Sequence, residues 1–245
     1  MSQGRVVLSK LEKLETIEAF AAWLSQPGDW LGAFDLPFGL PRELVEHLGW
    51  PTRWDDCIRH YASLSREEIR ATFKSFCDGR AVGEKFAHRA TDRVAASSPS
   101  MKWVNPPVAY MLHAGLPCLL AAGVNIPGLR LGDSRRVGLE GYPGLLAREI
   151  LAHRSYKADA LSRQTHERLI ARKDLLTALE LGRTRLGLRL KLSHVQRDAL
   201  VDDGRGDLLD AVLCLVQAAW ASEQGGPRYG LPKEMDPLEG WVVTA

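Results

Sequence analysis

The chain reads as an α/β protein of one elaborated domain, and three features carry that reading. Two short apolar runs, at residues 30–34 and 136–139, stop at an acid and then at glycine and proline, as buried strands ending in rigid loops do. Segments of helical period lie around them. One long apolar segment, 208–221, has the character of a core helix packed on a sheet. With 245 residues and 45% hydrophobic content the chain can bury a sizeable core.

Taken in order, residues 5–14 form the first expected strand. Thr16 caps an amphipathic helix that runs to about residue 26, where Pro27 and Gly28 end it. The strand at 30–35 follows, so strand, helix and strand make a crossover unit whose two strands lie parallel. The loop F-D-L-P-F-G-L-P at 34–41 then sets Asp35 at a strand end, where ligands collect in open α/β sheets, and its prolines hold the loop still. Asp35 equally suits a turn-capping hydrogen bond.

Residues 42–122 read as a helical insertion on the sheet scaffold. Pro41 opens its first helix, helices at 54–63 and 65–76 follow, and Ser65 with Glu68 makes a capping box. A polar segment at 85–103, containing Arg89 and Lys102 with interleaved aromatics, can contact phosphates and stack on bases, or form a solvated loop. Short strands are expected at 126–131 and 136–140. Helices at 143–153, 165–181, 193–202 and 207–222 come next, and a strand-like end at 239–243 closes the chain.

Acids and bases nearly balance, giving a formal charge of +2, and a pI near 8.4, so any basic surface must be local. The helix at 165–181, with Arg163 just before it and Arg168, Arg172 and Lys173 along it, is the natural place for one. Cys57, Cys77, Cys118 and Cys214 are widely spread with no C-x-x-C pair, which speaks against a secreted disulfide scaffold and a zinc site and points to a reduced, cytoplasmic protein. No apolar run has membrane-spanning length, and Lys10, Glu12, Lys13 and Glu15 interrupt any signal-like segment.

The chemistry-bearing signal is acidic. Asp35 and Glu140 follow strands, and Asp207 and Asp210 open the long apolar helix one turn apart on one face. Carboxylates brought together imply a cation or raised pKa values, and Mg²⁺ or Mn²⁺ suits oxygen ligands with no sulfur or imidazole competing. Such ions activate water against a phosphodiester. Each acid also has a plainer role: Asp207 and Asp210 complement the helix dipole, and Glu140 sits at a turn.

Five motifs in order, F-D-L-P-F-G-L-P (34–41), L-E-G-Y-P (139–143), S-Y-K (155–157), G-D-L-L-D-A (206–211) and P-L-E-G-W (237–241), give the chain a resemblance to the DUF-429 family of predicted nucleases. The resemblance implies a ribonuclease H-like mixed sheet flanked by helices, and a metal-dependent, nuclease-like site with Asp35, Glu140, Asp207 and Asp210 in its acidic positions. Lys157 matches a further motif and is expected to steady a phosphate, as is Arg89. Nucleic acid is then the expected partner. The G-x-D strand that opens such families has no counterpart, since residues 1–34 hold only Asp29, in a Pro-Gly-Asp-Trp turn. A missing N-terminal strand is therefore expected, from a misassigned start or a shortened member. In that case the same fold would serve as a non-catalytic scaffold binding nucleic acid or protein, with Arg163, Arg168, Arg172 and Lys173 making the contact.

Overall fold

The computed structural model describes residues 4–245. Its strands are β1 (Arg5–Val7), β2 (Trp30–Phe34), β3 (Val124–Asn125), β4 (Asp133–Glu140) and β5 (Arg189–Lys191). Between β1 and β2 lies α1 (Ile17–Leu24), and between β2 and β3 lie α2 (Arg42–His47), α3 (Trp54–Ser63), α4 (Arg66–Asp78), α5 (Ala90–Val94) and α6 (Val108–Ala121). After β4 come α7 (Pro143–Leu151), a 3-10 turn (Leu161–Arg163) and α8 (His166–Glu180), and after β5 come α9 (His194–Asp202) and α10 (Asp207–Gln224).

The chain is α/β, with a helix-rich stretch at 42–122 as expected, but two details of the sheet differ. The described strands pair only in parallel, in a three-stranded sheet of order β2-β4-β3 and a separate two-stranded sheet of β1 and β5. The expected crossover from β1 to β2 is thus not one sheet unit. Val6 and Leu8 bury with Leu190 in the core formed by α7 to α10, which draws β1 away from β2. The strand expected at 126–131 is instead a tight turn, because Ile126 and Arg130 exchange backbone hydrogen bonds around Pro127 and Gly128 (φ 81°). The end at 239–243 contributes only a bridge between Val242 and Glu140, since Gly240 turns the backbone at φ 74°.

Local signals explain several helix starts. Ser65 and Ser193 each close a capping box, with Glu68 and Gln196 respectively. Thr16 caps α1 by accepting from the Ala19 N–H. One apolar core joins α1 to α4 and α6 on one face of the three-stranded sheet, and a smaller cluster including Val137, Leu139 and Ala221 lies on the other. Helix α10 runs beneath β2 and belongs to the core of α7 to α9 as well, which ties the two sheets together. Among the described residues no helix is long and apolar enough to cross a membrane.

Candidate functional site

The C-terminal ends of β2 and β4 lie side by side, with Phe34 paired to Glu140. Asp35 leaves the first strand and Glu140 ends the second, so two acids meet at the edge of a parallel sheet, where open α/β folds place ligands. The loop after Asp35 is fixed from three sides. The Phe38 N–H donates to Glu140 Oε2 at 3.0 Å, Trp54 Nε1 donates to the Phe38 carbonyl at 2.6 Å, and Gly39 lies so close to the Leu238 carbonyl that any Cβ would collide with it.

From the other side, α10 brings Asp207 and Asp210. Its N-cap is Gly206 at φ 79°, a conformation that glycine adopts without cost. Asp207 stays exposed, whereas Asp210 is 7% exposed. Tyr156 and Lys157, in the segment after α7, close on Asp210: the tyrosine hydroxyl donates to Oδ1 and the Lys157 ammonium to Oδ2. Arg172 holds that segment in place by donating from Nη1 to the Tyr156 carbonyl at 2.8 Å and from Nε to the Val201 carbonyl at 2.6 Å.

Asp35, Asp207 and Asp210 thus line one hollow of about 300 Å³, floored by Ala33, Ala211 and Cys214. Asp35 keeps an exposed edge, while its carboxyl is crowded by protein within this concave acidic surround. Loss of water contact, then Asp210, then Glu140 push its carboxyl up to about 6, with Lys157 opposing. Burial pushes Asp210 up as well, against the pull of Lys157 and Tyr156. A carboxylate near 6 is ionised at neutral pH and still basic enough to take a proton. Cys214 is buried below, its thiol pushed well up by burial and by the two aspartates, and it is inert as a nucleophile.

Glu140 and Arg89 do not play the parts expected of them. Arg89 is 2% exposed and Glu140 3%. The guanidinium gives Nη1 and Nη2 to Glu140 at 2.8 and 2.6 Å, Nε and Nη2 to Asp92 Oδ1, and Nη1 again to the Glu239 carbonyl. All five of its N–H donors are engaged, so none remains for a phosphate. Burial pulls the Arg89 guanidinium down, and Glu140 and Asp92 more than offset it, so the group is held above its ordinary value. Glu140 is correspondingly an ion-pair partner, not a free metal ligand. Glu239 has a comparable structural role, accepting from the Arg42 and Ala90 N–H groups at 2.8 and 2.9 Å.

The other basic residues expected to contact substrate are not brought to the hollow. Lys102 lies in the loop before α6 and Arg163 ends the exposed 3-10 turn; neither lines the hollow. Arg172 is buried, which removes it from the basic face expected of α8. Gln217 carries no acid or base signal in the sequence, yet it joins the site together. Fully buried on α10, it accepts from the Tyr142 N–H at 2.9 Å and donates to the Val243 carbonyl and the Thr244 hydroxyl at 3.1 and 2.9 Å.

Asp35, Asp207 and Asp210 offer the oxygen donors that a hard divalent ion prefers. As arranged they do not fit one. Each Asp210 oxygen already accepts a hydrogen bond, Glu140 is paired with Arg89, and among the described residues no three His, Cys, Asp or Glu side chains come together as ligands. The cation that balances the aspartates is Lys157. Comparison with family models, with curated proteins and with solved structures gives no match for this chain.

Proposed function

We propose that this protein is a nuclease-like hydrolase of nucleic-acid phosphodiesters, with a ribonuclease H-like arrangement and the DUF-429 resemblance as its family context. The observation that carries the reading is the meeting of Asp35, Asp207 and Asp210 in one hollow beside Lys157, from a strand end, a helix start and a separate segment. Asp35 has the accessibility and raised basicity to take a proton from an attacking water. Lys157, 43% exposed at its side chain, offers positive charge to a phosphate oxygen. Water then adds to phosphorus, its proton passes to Asp35, the bond to the leaving oxygen breaks, and that oxygen takes a proton from solvent.

The Mg²⁺ or Mn²⁺ dependence implied by the resemblance enters as a variable of the test, because the acids as arranged do not fit an ion. Purified protein is incubated with single-stranded and duplex nucleic acid in chelator, in Mg²⁺ and in Mn²⁺. Cleavage that disappears in Asp35→Asn supports the reading; cleavage unchanged in that variant overturns it. A second reading, a non-catalytic scaffold for nucleic acid or protein, is favoured by one observation: Glu140 and Asp210 are each neutralised by an internal cation. Salt-dependent binding with no turnover under any of the three conditions supports that alternative.

A further inference from the structure

Asp35 borders a second cavity on its other side. It is a half-open pocket of about 210 Å³, walled in part by Leu36, Pro37, Pro106, Val108 and Met111. Ser98 and Lys157 line it with Asp35, and the buried Arg89 and Glu140 pair closes it. The acid hollow and this pocket therefore share one residue, so a phosphate held by Lys157 beside Asp35 has the pocket within reach of its neighbouring nucleotide.

The walls decide what enters. They are apolar and fixed, since two are prolines and Val108 and Met111 stand on α6. Such surfaces suit the face of a flat ring. The volume is below the roughly 300–1,000 Å³ of drug-sized ligand sites, so one ring system enters and a base pair does not. At the rim, Ser98 offers a hydroxyl that both donates and accepts, which suits the polar edge of a base. A base stacked in a duplex cannot enter a pocket of this size unless it is unpaired or flipped out.

Resting on the nuclease-like reading, we propose that the cavity between α6 and the Asp35 loop receives one unpaired nucleobase, and that the substrate class is single-stranded nucleic acid or a frayed end. The base stacks between the proline walls and α6 while its phosphate lies at Lys157, next to Asp35.

Binding of the full chain is measured in chelator, where it does not depend on turnover, using an oligonucleotide that carries a fluorescent purine analogue, alone and annealed to its complement. Single strand is expected to bind about tenfold or more tightly than duplex, with a change in analogue fluorescence, in line with stacking of roughly 1–3 kcal/mol per base. Met111→Trp fills the pocket from a partly exposed helix position and is expected to erase that preference. Ser98→Ala leaves the fold untouched and is expected to weaken the single strand alone, by roughly fivefold for one lost hydrogen bond. Equal binding of the two forms overturns the proposal, as does a preference that survives Met111→Trp. A preference for single strand without cleavage under any ion condition would sink the nuclease reading and leave the pocket standing; cleavage with no such preference would do the reverse.

Discussion

Gly206 and Lys157 are in such close contact that a Cβ built on the glycine would lie 2.7 Å from the lysine Cβ. The N-cap of α10 and the cation on Asp210 are thereby coupled. The glycine is needed twice, for its φ of 79° and for the space it leaves to Lys157.

Gly206→Ala is expected to cost about 1–2 kcal/mol from the left-handed backbone alone, and more from displacing Lys157. Gly187→Ala is the control, with φ 68° and nothing within 4 Å of the added methyl. Urea unfolding of both variants checks this: Gly206→Ala should be the less stable by a clear margin, and equal losses would show that the contact with Lys157 is without consequence.

Removing Arg89 strands two buried carboxylates, Glu140 and Asp92. Arg89→Met is expected to cost about 3–5 kcal/mol, as for other broken buried pairs. Lys157→Met should cost less, because the Lys157 side chain is itself 43% exposed and Asp210 keeps the Tyr156 hydroxyl as a donor. The order of the two unfolding midpoints is the measurement.

Asp35 sets a pH dependence whose sign can be worked out. Its carboxyl is raised from 3.8 to about 6 in the folded protein, so the native state binds the extra proton between those values and stability falls as pH rises through that window. Asp35→Asn should melt with the parent near pH 4 and above it from pH 7 to 8, by a modest amount because the group is solvent-exposed. Melting curves across that range test it. If the parent cleaves nucleic acid, its activity should rise as pH passes 6.

Gln217 joins α10 to Tyr142, Val243 and Thr244. Gln217→Leu leaves buried backbone groups without partners and is expected to cost about 2–4 kcal/mol. Chemical denaturation gives the loss, and rescue by Gln217→Glu is not expected, since an ionised carboxylate donates no hydrogen bond to the Val243 carbonyl.

Much of the local structure follows from the sequence because its causes are local. The limits of α3 match the expected 54–63, Ser65 and Glu68 close their box, and Asp35 and Glu140 stand at strand ends because proline and glycine stop the chain just beyond each. The joining of Asp207 and Asp210 on one helix face was likewise legible, being set by helical spacing. What the residue order could not decide was which charges would be neutralised, and by what. Arg89 and Glu140 lie 51 residues apart, Lys157 and Asp210 lie 53 apart, and each pair forms only when packing brings the segments together and removes water from them. A carboxylate alone in sequence is equally a metal ligand or an ion-pair partner, because its charge needs compensation and any nearby cation supplies it. Tertiary structure gave Glu140 to Arg89 and Asp210 to Lys157, left Asp35 and Asp207 open, and put a half-open, largely apolar pocket beside Asp35 that no short motif encodes.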